Sequence, residues 1–273
     1  DVADARSRDV RYRALVHDLD AAVDEPAVTT DGHPITLRAN LDLPEELDNA
    51  RRVRADGIGL MRTEFLVVGH GRMPDEQEQV ALYRRVGEAF PQSQVVIRTF
   101  DLGGDKFPAG FRTTAEANPF LGWRAIRVCL DRPEVFRPQV RAILRAAAHA
   151  QLKLMIPLVT TVDEVEATRA IVAEEATALR TAGIEAAESV PVGVMVETPA
   201  AVFVADRLAE VADFLSVGTN DLVQYTLAVD RGNARLADRF TPHHPAILRA
   251  LAQVRAAADA AGKEVSVCGG MAS

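Results

Sequence analysis

Seven short apolar runs, each separated from the next by a longer segment of helical periodicity, constrain this chain more than any other feature. They are Ile35–Ala39, Gly57–Met61, Val95–Phe100, Leu152–Ile156, Val192–Val196, Phe214–Val217 and Glu264–Val267. The segments at 95–97 and 192–196 are almost wholly apolar and β-branched, which predicts strands buried on both faces of a parallel sheet. Helix chemistry fills the gaps. Val140, Ile143, Leu144, Ala147 and Ala148 trace one apolar stripe, and Ile247, Leu248, Leu251 and Val254 trace another that ends near Gly262. Thr161 and Glu164 have the spacing of a capping box, and Thr198-Pro199 that of an N-cap followed by proline in the first turn. Alternation of this kind builds right-handed βαβ units.

The expected fold is therefore α/β, a (β/α)8 TIM-type barrel short of its last unit, with an open doubly wound sheet as the competitor. Polar residues at or just past most strand ends favour the barrel: Asn40, Arg62, Arg98, Glu197, Asn220 with Asp221, and Cys268. A barrel places its active site on that rim, whereas an open sheet gathers such residues at one switch point. Residues 1–30 read as a polar, partly helical lead-in, closed by the turn signal Asp31-Gly32-His33-Pro34, and 31–273 as one domain.

Composition narrows the function. The 273 residues carry 31 Lys+Arg against 39 Asp+Glu, a net charge of −8, with no basic tail. Nucleic-acid and anionic-membrane binding are not expected. No uncharged run approaches the roughly 18 residues of a membrane span, and Asp1-Val-Ala-Asp opens no signal core. Cys129 and Cys268 make no disulfide framework, so a reducing cytoplasm is the expected location.

Several strand-end residues have chemistry to offer. Glu197 and Asp221 follow strongly apolar runs, where they can act as hard ligands for Mg2+ or as helix N-caps. Arg62 and Arg98 end two successive strands, with Arg124 and Arg231 in loop-like segments. Together they can clamp a polyanion, or each can form a surface ion pair. Asp101-Leu-Gly-Gly-Asp-Lys106 offers a turn whose backbone can approach an oxyanion, although no nucleotide-loop motif is present. Cys268 can serve as proton donor or nucleophile, or lie buried and inert. His243-His244 sits in a proline-framed loop that reads as solvated.

Longer strings are more specific. Gly57-Ile-Gly-Leu-Met-Arg-Thr-Glu-Phe-Leu66, Ile97-Arg-Thr-Phe-Asp-Leu-Gly-Gly-Asp-Lys106, Asn118-Pro-Phe-Leu-Gly-Trp-Arg-Ala-Ile-Arg127, Gly193-Val-Met-Val-Glu-Thr-Pro-Ala-Ala201, Gly218-Thr-Asn-Asp-Leu-Val-Gln-Tyr-Thr-Leu-Ala-Val-Asp-Arg231 and Val267-Cys-Gly-Gly270 resemble the PEP-utilising enzymes. Within them, the second, third and fifth strings are similar to the Enzyme I family of the bacterial sugar phosphotransferase system. The resemblance covers about residues 31–273. It implies a barrel that binds phosphoenolpyruvate (PEP) and releases pyruvate, with Glu197 and Asp221 on Mg2+. It implies Arg62, Arg98 and Arg231 on the phosphate, with Lys106 and Asn220 helping and Arg124 lining the same pocket. Cys268 is the implied proton donor to C3.

The implied partners are a phosphohistidine N-terminal domain, the carrier HPr and a second copy in a homodimer. That family's Gly-rich Thr-x-x-His segment does not occur in the sequence, and the family continues past residue 273 through one further strand and terminal helices. The expected barrel thus lacks its last strand and those helices. An inactive PEP-binding and dimerisation module, and a relative of pyruvate phosphate dikinase or PEP synthase, are the alternatives.

Overall fold

A computed structural model describes residues 23, 25–68, 71–103 and 116–272. Seven strands form a single sheet in chain order: β1 (Ala39–Leu41), β2 (Ile58–Met61), β3 (Val95–Arg98), β4 (Leu152–Ile156), β5 (Val192–Val196), β6 (Phe214–Gly218) and β7 (Glu264–Cys268). Every neighbouring pair is parallel. Parallel order without a reversal is the barrel's topology and excludes the doubly wound sheet, whose order switches direction. The sheet curls until its ends approach: Arg38, just before β1, pairs with Glu264 of β7 at 2.6 Å. Among the described residues no strand closes the seam between β7 and β1, so the barrel stands at seven strands.

The first expected strand is displaced. Ile35 and Leu37 are about half exposed, and pairing begins only at Ala39. The Leu37 N–H is taken by the Asp56 carboxylate at 2.7 Å, and the Ile35 N–H by the Ala27 carbonyl in a small turn through Gly32. Those local partners satisfy the backbone before a ladder can. Asn40 consequently sits inside β1 rather than beyond it.

Strand alternation divides the core in two. Ile58, Val95, Ile97, Leu154, Val194, Val196, Leu215 and Val217 face the surrounding helices. Leu60, Val96, Met155, Met195, Phe214 and Cys268 meet inside the barrel. The floor of that interior is partly ionic. Lys153 lies 3.2 Å from Glu264 and 4.8 Å from the centre of the Phe214 ring. The ring lies against Gly193, where a Cβ would come within 2.3 Å of it.

The helices start as their sequences direct. Thr161 and Glu164 form the expected capping box of helix Val162–Thr181. Thr198 accepts from the Ala201 N–H to cap Pro199–Phe203. Helix Pro245–Ala260 ends at Gly262, whose φ of +64° suits glycine. His244 is exposed and caps that same helix through Nδ1, 3.1 Å from the Ala246 N–H. None of the described helices is long and apolar enough to cross a membrane.

Candidate active site

The C-terminal ends of the strands surround one open cleft of about 450 Å³. Its lining includes Arg62 after β2, Arg98 of β3, Glu197 after β5, Asn220 and Asp221 after β6, Cys268 of β7, and Arg231. Residues from five strand ends thus converge, as the barrel reading requires. Lys106 lies outside the described residues.

The cap alternative for the two carboxylates is settled by the backbone. Thr198, not Glu197, caps its helix. Asp221 lies in the first turn of helix Thr219–Leu227, whose N-cap is Gly218. Both carboxylates are buried, with 2% and 5% of their surface exposed. One Glu197 oxygen accepts from the Leu158 N–H at 2.7 Å, holding a turn in which Leu158 has a φ of +58°. Gly218 makes room for the carboxylate: a Cβ there would lie 2.7 Å from Glu197 Oε2. Burial, with Asp221 and then Asp101 nearby, pushes the Glu197 carboxyl up to about 8. Asp221 Oδ1 is buried and accepts no hydrogen bond, with Arg231 Nη1 3.5 Å away.

The arginines differ in role. Arg62 is one-third exposed and paired with Asp42 at 2.6 Å. Arg98 is buried, 3.0 Å from Glu64 and 3.4 Å from Asp101. Burial opposes its charge, but Glu64, Asp101 and Glu197 outweigh that and hold it protonated. Its Nε has no hydrogen-bond partner. Arg231 is the most exposed of the three. Arg124 is turned aside. It grips Asp101 with Nη2 at 2.7 Å from both oxygens and reaches Asp221 Oδ2 at 3.2 Å and the Tyr225 hydroxyl at 3.0 Å. The Asn220 side chain accepts from the Gly270 N–H at 2.9 Å.

Cys268 is buried at the cleft's inner wall. Its thiol lies 3.5 Å from the Val217 carbonyl and 3.9 Å from the Ser216 hydroxyl. Burial pushes the thiol's pKa up, which keeps it protonated. Cys129 is buried in helix Ile126–Asp131, 3.7 Å from the Phe100 carbonyl, as a core residue.

Asp42, Glu64 and Asp101 complete the site and were not singled out from sequence. Glu64 also accepts from the Asp101 N–H at 2.8 Å. Behind the β3 end, Gln139 accepts from the Phe100 N–H at 3.0 Å and donates to Thr63 and Tyr83, each at 3.2 Å. Thr63 in turn donates to the Arg98 carbonyl at 3.0 Å. A buried, hydrogen-bonded network of this kind fixes the strand end that carries Arg98. The one sequence signal for Gln139 is an amide among the apolar residues of a helical stripe.

Among the described residues no group of three or more His, Cys, Asp or Glu side chains is arranged to hold a metal ion by itself. The donor set nonetheless fits Mg2+, which is held by one or two carboxylates plus substrate oxygens rather than by a protein cage. Mutually repelling buried carboxylates and an oxygen without a hydrogen bond are what a cation would relieve.

The family described as "PEP-utilising enzyme, PEP-binding domain" matches residues 17–273. A phosphoenolpyruvate-protein phosphotransferase of Staphylococcus carnosus is 47% identical over 91% of this chain and 44% of its own length. The enzymes of that name from Geobacillus stearothermophilus and Bacillus subtilis are 45% and 44% identical over 99% and 92% of this chain. The chain spans less than half the length of these curated relatives. Among solved structures, an HpcH/Hpal aldolase/citrate lyase family protein from Burkholderia cenocepacia J2315 covers 93% of this chain and 84% of its own, with 18% identity and a TM-score of 0.54. A citrate lyase from Burkholderia xenovorans LB400 covers 86% and 64%, with 20% identity and a TM-score of 0.51. At these identities the likeness is one of fold.

Proposed function

The chain belongs to the PEP-utilising enzymes through their PEP-binding domain, and from that membership we propose that it is the PEP- and Mg2+-binding part of a phosphoenolpyruvate–protein phosphotransferase. One observation carries the reading: Arg62, Arg98 and Arg231 share a cleft with two buried carboxylates, and Asp221 Oδ1 there accepts no hydrogen bond. Phosphoryl transfer asks a protein chiefly for positioning and charge neutralisation. The three guanidiniums hold the phosphoryl oxygens and orient the group for in-line departure. Glu197 and Asp221 hold Mg2+, which when bound supplies charge neutralisation for the phosphate and the enolate oxygen. As the P–O bond breaks, the enolate keeps the electron pair. Cys268 then gives its proton to C3, and pyruvate results. A thiol held protonated by burial is in the right state for that step.

None of the described histidines lines the cleft. On this reading the acceptor is a histidine on a separate domain, which passes the group to HPr for sugar uptake. The protein works in the cytoplasm as a homodimer.

Calorimetric titration of PEP with and without Mg2+ tests the reading. Binding that depends on Mg2+ is the expected result, and a folded chain that ignores PEP in excess Mg2+ overturns it. Cys268→Ala separates binding from proton transfer. PEP affinity is expected to be unchanged, because a neutral thiol adds no charge to the clamp. Mg2+-dependent exchange of pyruvate methyl protons with deuterated water, followed by NMR, is expected to fall by about 100-fold or more. Undiminished exchange would remove Cys268 from the mechanism.

A further inference from the structure

Three local features converge on one guanidinium. The Leu102–Gly103 and Arg124–Ala125 segments are stitched by an antiparallel bridge between Gly103 and Arg124 and by the Ala125 N–H donating to the Leu102 carbonyl at 2.9 Å. The approach is so close that a Cβ on Gly103 would lie 2.4 Å from the Arg124 Cβ. Ala125 takes φ +54° and ψ −128°, a backbone region costly for a residue with a side chain. Strain of this kind persists where the surroundings over-determine it, and it collects at functional sites.

What this arrangement delivers is the aim of Arg124. Only 5% of the residue is exposed, and it is absent from the cleft lining. Its Nε and Nη2 both engage Asp101, at 3.0 and 2.7 Å. Nη2 also meets Asp221 Oδ2. Nη1 donates to the Tyr225 hydroxyl, which itself donates to the Phe120 carbonyl, and the Phe120 ring lies 5.7 Å from the guanidinium carbon. All three nitrogens are thus committed within the protein. The consequence falls on Asp221. Its Oδ2 is held by Arg124, and its Oδ1, buried on a residue that lines the cleft, accepts no hydrogen bond, with Arg231 Nη1 3.5 Å away.

We propose that Arg124 is a positioning residue that orients Asp221 for a divalent cation, acting as a strut between the β3 and β6 ends, and that it does not contact substrate. The inference rests on the Mg2+-dependent reading above. It concerns only how the metal-holding carboxylate is aimed.

The test uses Mn2+ as the probe, with free ion counted by electron paramagnetic resonance on the 273-residue chain, first alone and then with saturating PEP. Arg124→Lys keeps the charge and loses the planar fork. It is expected to weaken Mn2+ binding by about 10-fold or more, the usual effect of removing an outer partner of a metal ligand. PEP affinity at saturating Mn2+ is expected to stay at the wild-type value. If Arg124→Lys does not fold, Tyr225→Phe removes the hydroxyl that fixes Nη1 without touching a charge, and carries the same expectation in smaller degree. Unchanged Mn2+ affinity with PEP affinity lowered even at saturating Mn2+ would make Arg124 a substrate ligand and overturn the proposal. A wild-type chain that binds Mn2+ but no PEP would overturn the functional reading, and the Mn2+ titration without PEP would still decide the strut. A wild-type chain that takes up no Mn2+ would overturn both.

Discussion

Glu197→Gln is expected to abolish Mg2+-dependent PEP binding while making the metal-free chain more stable at pH 8. Both effects come from one buried carboxyl. Its ordinary pKa of 4.5 is raised to about 8, first by burial and then by Asp221 and Asp101. Below pH 4.5 the group is protonated whether the chain is folded or not, and its contribution to stability is fully present. Between 4.5 and 8 the unfolded chain gives up the proton while the folded chain keeps it, so stability falls as pH rises. Above 8 both states are ionised and the loss is complete. Each unit of that window is worth about 1.4 kcal/mol, so the whole span amounts to a few kcal/mol.

Glutamine cannot ionise, and its carbonyl can still accept from the Leu158 N–H. The wild type should therefore lose melting temperature from pH 5 to pH 8 more steeply than the variant. Mg2+ at pH 8 should recover the wild type alone. Superimposable melting profiles would show that Glu197 does not carry this strain, and retained Mg2+-dependent binding of PEP would remove it from the cation site.

Gly193→Ala should be the most damaging single-methyl change in the barrel. The added carbon would fall 2.3 to 2.4 Å from three atoms of the Phe214 ring, deep in β5 where nothing is exposed. Overpacking of a filled core costs about 1–3 kcal/mol, and a rigid ring against a central strand belongs at the upper end. Phe214→Leu alone should also destabilise, because it opens a void and removes the face over Lys153. The two together should cost less than their sum, since the smaller side chain makes room for the methyl. Urea denaturation of the four proteins measures this. Strict additivity would mean that Phe214 does not press on Gly193 in solution.

Regular parts of the fold are legible in the sequence because their causes are local. β4 and β5 match the expected bounds, and Thr161, Thr198 and Gly262 act at the helix ends where their chemistry puts them. The rim residues Arg62, Arg98, Glu197, Asn220, Asp221, Arg231 and Cys268 are brought together because each lies at or near a strand end of one barrel, and strand ends share a face. What escaped the sequence depends on contacts between distant segments. Arg124 looks like any loop arginine until the Gly103 bridge swings it onto Asp101, 23 residues away. Gln139 looks like a helix residue until it meets Phe100, Thr63 and Tyr83. The β1 boundary moved because Asp56, 19 residues on, captures the Leu37 N–H.

The interior of the barrel is zoned along its axis, and β5 shows the zones in order: Gly193 at the floor, Met195 at the waist, Glu197 at the mouth. Successive zones are about 6.6 Å apart, two residues of strand. The floor pairs Arg38 and Lys153 with Glu264 beneath an aromatic ring, while the mouth holds the arginines and carboxylates. An apolar tier of Val96, Met155 and Met195 insulates one from the other. A lineage adapting to heat or cold can therefore rebuild the floor, trading ion pairs for packing, without re-aiming a single group at the mouth.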